Sequence, residues 1–178
     1  DNHFRHAPLE RNLPVLMAMI GIWNTNFLGA ETCAVLPYNE ALRFLPSFLQ
    51  QLEMESNGKT VGRDGLPLSC HANPIVWGEI GSNGQHAFFQ LLHQGGWLIP
   101  SDFIASAHSD YPLPGHQAPL MANFLAQSAA LAFGKTEAEA RAELQAAGVL
   151  VDKITELLPN KVFAGNQPST TLLLPRLS

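Results

Sequence analysis

Apolar residues run along this chain in two rhythms, short unbroken runs and longer stripes spaced three or four apart, and their alternation predicts strands interleaved with helices. Apolar and small residues from Leu9 to Phe27 predict a buried helix, with Pro8 favouring its first turn and Gly29 its end. Ala34 to Tyr38 reads as a short strand. Asn39 is placed to cap a helix whose apolar stripe runs through Ala41, Leu42, Leu45, Phe48, Leu49 and Leu52, with Pro46 as its flaw. Polar, glycine-bearing sequence from Ser56 to Gly65 predicts a hairpin or loop. Pro74 to Gly78 then reads as a buried parallel strand, Ser82-Asn-Gly as a turn, and about Gln85 to His93 as a helix. A further strand and its exit are expected from Trp97 to Ala105. Pro119 to Phe133 predicts an Ala/Leu-rich helix ended near Gly134, and Thr136-Glu-Ala-Glu139 a capped helix to about Ala147. Leu172-Leu-Leu174 looks like a last strand. The pattern is that of an α/β protein, a three-layer αβα sandwich on a mainly parallel sheet.

Composition narrows the function classes. The chain has 178 residues, 46% of them hydrophobic, enough to bury a core. Its formal charge of −5 and pI near 5.7 give no basic footprint for a phosphate backbone, so nucleic acid is not an expected partner. The run from Leu13 to Phe27 is interrupted by Pro14, Gly21, Asn24 and Asn26, too short and polar for a membrane span of roughly 20 apolar residues. Cys33 and Cys70 form no disulfide framework or metal-ligand spacing, which fits a reducing, cytoplasmic setting. The chain starts at Asp1 without a Met and stops just past an apolar run. We therefore expect a piece of a longer polypeptide, its sandwich incomplete at both ends.

Two blocks carry the candidate chemistry. Gln51-Leu-Glu-Met-Glu-Ser-Asn-Gly-Lys59 places Gln51 and Glu55 one helical turn apart on one face. Trp77-Gly-Glu-Ile-Gly-Ser-Asn-Gly-Gln-His-Ala-Phe-Phe-Gln-Leu-Leu-His-Gln-Gly95 holds His86, 31 positions after Glu55. The first resembles the Gln-x-x-x-Glu-Ser-Asn-Gly element of the glucose-6-phosphate isomerase family, and the second its Gly-Glu-x-Gly-[Thr/Ser]-Asn-Gly-Gln-His-Ala-Phe element. The spacing between them is also the family's.

The resemblance implies a cofactor-free aldose–ketose isomerase. Moving a proton between adjacent carbons through an enediol needs a carboxylate-type base, and opening the cyclic sugar needs a proton donor near the ring oxygen. By resemblance, Glu55 is the base, His86 assists ring opening and Gln51 contacts the sugar phosphate. It also implies a homodimer in which His86 reaches the partner's site, and a division into a helical lead-in over residues 1–30 and a second sugar-isomerase (SIS) domain over 31–178. A different class of reading is a non-catalytic sugar-phosphate-binding module.

Other residues have plainer readings. By ordinary surface statistics Glu55 alone would be a solvated carboxylate, one of 15 acidic residues. His93 lies seven positions after His86, but no third ligand has matching spacing, so no metal is expected. Glu79 is expected to accept backbone N–H bonds from the turn that follows it. Gly81-Ser-Asn-Gly84 looks like a phosphate-cradling turn, yet the resemblance assigns Ser82 and Asn83 no such role. The family usually has Pro where Ile80 stands, and Gln-Gly-Asp/Asn where this chain has Gln51-Leu-Glu53. Neither its Gly-Gly-Arg-Tyr/Phe-Ser block nor its Phe-Asp-Gln-x-Gly-Val-Glu-x-x-x-Lys block appears in these residues.

Overall fold

Four short strands pair in parallel to make the sheet. In the computed structural model, which describes residues 1–109, 111 and 113–177, they are β1 (Thr32–Pro37), β2 (Ile75–Trp77), β3 (Ser101–Ser106) and β4 (Ser169–Leu174), in the order β2-β1-β3-β4. Leu36 lies level with Phe103, and Asp102 with Val35 on one side and Thr170 on the other. Parallel neighbours require crossovers. After α1 (Asn2–His6) and α2 (Leu13–Asn26), which precede β1, helices supply them: α3 (Leu45–Leu49) runs straight into a π-helix (Gln50–Glu55) before β2. Then come α4 (Gly81–Ala87), α5 (Phe89–Gln94), α6 (Gln117–Phe133), α7 (Glu137–Ala146) and α8 (Val151–Leu157).

Strand alternation divides the sheet into two faces. Ala34, Leu36, Phe103 and Ala105 pack with Phe89, Leu92, Phe124 and Leu131 of α5 and α6 in the main core. Each large side chain fully buried there contributes roughly 1.5–3 kcal/mol. On the other face Cys33, Val35, Val76 and Asp102 share a cavity with Met17, Gly21 and Thr25 of α2 and with Glu53 of the π-helix. A smaller core joins Ala140 and Leu144 of α7 to Ile154 and Leu158.

The α/β fold and its parallel sheet are as expected; several element boundaries are corrected. The first long helix starts at Leu13 rather than Leu9, because the Asn12 side chain accepts from Val15 N (3.3 Å) and Pro14 occupies the first turn. Pro8 instead precedes a 3-10 turn, Leu9–Arg11. That helix is not buried: only Asn24 and Thr25 are, while Ile22 and Trp23 are about half exposed (51% and 55%), since one narrow stripe meets the sheet. The helix expected from Asn39 is divided. Asn39 caps only the 3-10 turn Glu40–Leu42, and Pro46 belongs in the first turn of α3.

The helix expected from Gln85 to His93 is two helices that meet at Phe88, whose φ of −144° breaks the turn while its ring packs edge-on against Trp77 (4.9 Å). Strand β3 begins at Ser101, not Trp97, which is largely exposed. Thr136 does cap α7 through a reciprocal box with Glu139. Helix α8 has no counterpart in the sequence reading.

Candidate active site

The π-helix positions the first group of candidate residues. A π-turn is a rare, locally unfavourable conformation that recurs at functional sites. Here it ends on Glu55, and Gln51 and Glu55 are both exposed. Three features of the following turn hold its end. Gly58 lies against the Met54 carbonyl, where any Cβ would collide with main chain. The Lys59 ammonium donates to the Glu55 carbonyl (2.8 Å), and the Ser56 hydroxyl lies 3.2 Å from Glu55 Oε2 and 3.4 Å from the Gln51 carbonyl. Ser56 can direct its single proton to only one of these acceptors at a time.

A glycine-dependent turn positions the second group. Gly78 has φ +148° and lies against the Val35 main chain, so only glycine fits there. Gly81 opens α4 in contact with the buried Tyr38 ring, where a Cβ would overlap ring carbons. His86 is exposed in the last turn of α4. Gln51 and Glu55 are thus neighbours on one element and His86 belongs to another. Among the described residues no hydrogen bond or ion pair joins Glu55 to His86.

The remaining candidates have local partners. Glu79 accepts from the Asn83 side-chain amide (3.5 Å) rather than from backbone, because the N–H groups of Asn83 and Gly84 go to the Ile80 carbonyl. Gly81 to Gly84 form the first turn of α4, not a loop ahead of it. His93 has partners of its own: its Nε2 is 2.9 Å from Gln127 Oε1 and its ring packs on Phe163 (5.0 Å). Among the described residues no group of three or more His, Cys, Asp or Glu side chains is placed to hold a metal ion. Nor is any described helix long and apolar enough to cross a membrane.

With this geometry in place, comparison with known proteins is decisive. The family model of phosphoglucose isomerase matches residues 1–178, the whole chain. The chain belongs to the phosphoglucose isomerase family. It is 58% identical over 177 residues to the glucose-6-phosphate isomerase of Dechloromonas aromatica (strain RCB), covering 99% of this chain and 32% of that protein. It is 57% identical over 178 residues to that of Gloeobacter violaceus (strain ATCC 29082 / PCC 7421), covering 100% of this chain and 31% of that protein. A crystal structure of a glucose-6-phosphate isomerase from Chlamydia trachomatis D/UW-3/Cx superposes with a TM-score of 0.80 at 41% identity, over 99% of this chain and 32% of that one. The chain therefore spans about a third of the length of the curated relatives it matches.

Two departures from the phosphoglucose isomerase pattern can now be placed. Ile80 has φ −48°, close to the angle a proline ring imposes, so it replaces the family's proline without re-routing the turn. Glu53 faces inward, towards a group that sequence reading missed. Cys33 Sγ is 3.9 Å from Asp102 Oδ2 beneath α2, and burial foremost, with Asp102 and Glu53 nearby, pushes the Cys33 thiol up to about 12. Burial also raises the Asp102 carboxyl, against hydrogen bonds from Thr170 and Cys33. Glu53 is raised by burial and then by the charge of Asp102. The available signal was an acidic residue just past the apolar stripe that ends at Leu52 and another beside the apolar run of β3. Their convergence depends on the sheet register.

Proposed function

We propose that this chain supplies part of the active site of an isomerase that interconverts glucose 6-phosphate and fructose 6-phosphate, with no metal or organic cofactor. In this reading Glu55 moves the proton between the adjacent carbons of the enediol, His86 assists ring opening, and Gln51 contacts the sugar phosphate. Residues 31–178 belong to the second sugar-isomerase domain, residues 1–30 lead into it, and the enzyme works in cytoplasmic glycolysis and gluconeogenesis. The observation that carries the proposal is the exposure of Glu55 and Gln51 side by side at the end of a π-turn, in a chain matched throughout by the family. The placement of His86 on a separate, exposed helix is compatible with a homodimer in which it serves the partner's site.

The test is a coupled assay of fructose 6-phosphate conversion on the full-length polypeptide and its Glu55→Gln variant. Loss of a general base is expected to lower kcat by roughly two to four orders of magnitude while sugar-phosphate affinity is kept. Undiminished turnover would remove Glu55 from the role, and binding without turnover in both proteins would favour the non-catalytic module. The shared site has its own assay. Glu55→Gln and His86→Ala subunits, each inactive alone, should regain roughly a quarter of wild-type activity when co-refolded, because a mixed dimer rebuilds one complete site. No recovery in verified mixed dimers would place His86 in its own chain's site.

A further inference from the structure

Val76 lies in the middle of β2, at the edge of the sheet, and its main-chain groups point away from β1. The parallel ladder alternates: Ile75 N donates to Glu31 O (2.9 Å), and Ile75 and Trp77 lie level with Thr32 and Ala34, so the N–H and C=O between them face outward. Among the described residues no strand takes them. Val76 is buried, and a buried main-chain group left without a partner keeps the full penalty of leaving water. The π-helix supplies both partners: Gln50 Nε2 donates to Val76 O (3.0 Å), and Met54 Sδ accepts from Val76 N (3.3 Å).

We propose that Gln50 and Met54 are positioning residues for isomerisation, a two-point clamp on Val76 that fixes the rotation of the π-turn and thereby aims Gln51 and Glu55. The spacing supports this. The clamp residues are four apart, each candidate site residue directly follows one of them, and two fixed points on one turn remove its freedom to rotate. A π-turn released from such contacts relaxes toward the tighter α-helical hydrogen-bond pattern, which turns Glu55 about the helix axis relative to Gln50. Displacing a catalytic group by about 1 Å is enough to cost roughly a hundredfold in rate. The clamp also ties the Glu55 element to β2, which leads through Gly78 into α4 and His86. The kinetic part of this inference rests on the reading of Glu55 as the base.

The test uses the full-length polypeptide and two readouts, amide exchange at Val76 and the separation of kcat from KM. Met54→Leu keeps the shape and removes the acceptor. It is expected to speed Val76 exchange by about tenfold or more, and to lower kcat roughly ten- to a hundredfold with KM changed less than about threefold. Met54→Gln, whose amide oxygen can accept from Val76 N, should restore both. Gln50→Met removes the donor at similar length and should reproduce the kcat loss; it carries the test if Met54→Leu fails to fold. Unchanged Val76 exchange in Met54→Leu would overturn the clamp. Faster exchange with unchanged kcat, or no rescue by Met54→Gln, would overturn its positioning role. Wild-type turnover in Glu55→Gln would instead remove the base reading, leaving Val76 exchange to decide whether the clamp exists.

Discussion

The Lys59 ammonium bonds the main-chain carbonyl of Glu55 (2.8 Å) and leaves the carboxylate to other partners. A cation at the last carbonyls of a helical turn is worth about 0.3–1 kcal/mol at an exposed site. Lys59→Met should therefore lower Tm by only about 1–4 °C in a chain of this length. It should reduce kcat by less than about tenfold, far less than Glu55→Gln, since it loosens the base without removing it. A Lys59→Met variant as slow as Glu55→Gln would mean that the ammonium acts on substrate and not on the turn.

Gly81 is held to glycine by the Tyr38 ring rather than by its backbone angles. Tyr38 cannot retreat, because it is 1% exposed and lies between Phe103 and Phe124, with ring centroids 6.2 and 5.5 Å away. Overpacking of this kind typically costs about 1–3 kcal/mol, so Gly81→Ala should lower Tm by roughly 2–12 °C. Adding Tyr38→Leu should recover part of that loss, so that the two changes are non-additive. Strict additivity in the thermal melts would show that the overlap is relieved elsewhere, by movement of α4.

Local signals were legible in the sequence and long-range ones were not. The reciprocal cap at Thr136 and Glu139, the glycine-bearing turn after Glu55 and the apolar runs that became β1 and β2 each depend on neighbours a few positions away. The pairing of Gln51 with Glu55 on one face was readable too, because residues four apart share a side of either an α- or a π-turn. That same ambiguity hid the π-turn itself. The Gln50–Val76 bond spans 26 positions and depends on which main-chain groups of β2 face outward, which only the sheet order decides. Likewise, the half-buried position of Asp102 beside Cys33 follows from strand register, and the exposure of most of α2 from how little of it the sheet covers. Tertiary packing chose among conformations that the sequence left equivalent.

The two cysteines should differ sharply in reactivity. Cys33 is held as a thiol by burial and by the Asp102 and Glu53 carboxyl groups, at a pKa of about 12, whereas Cys70 is exposed. The thiolate is the reactive form and an ordinary cysteine has a pKa near 8.5. At pH 7.5 the thiolate population of Cys33 should then be on the order of a thousandfold below that of an ordinary cysteine. Timed alkylation of the native protein followed by peptide mass spectrometry should find Cys70 modified well before Cys33. Comparable rates at the two positions would mean that α2 opens readily from the sheet.

The same half-buried cluster predicts how stability depends on pH. A carboxyl whose pKa is raised by folding holds its proton more tightly in the folded chain. Stability therefore falls as pH climbs from the unfolded value through the folded one, and stays lowered above it. Asp102 is of this kind: burial outweighs the hydrogen bonds from Thr170 and Cys33 and lifts its pKa above the ordinary 3.8. Glu53, raised by burial and by Asp102, adds to the same trend from above 4.5. Asp102→Asn keeps a side chain able to bond Thr170 but carries no charge to bury. Its Tm should exceed that of the wild type at pH 7–8 by a few degrees, each kcal/mol recovered being worth about 2–4 °C. The gap should narrow as pH falls and close near pH 3.8, where the wild-type carboxyl is protonated in the folded chain. A gap that stays constant across the titration would mean that Asp102 affects stability through its shape and hydrogen bonds, and that its charge is already solvated beneath α2.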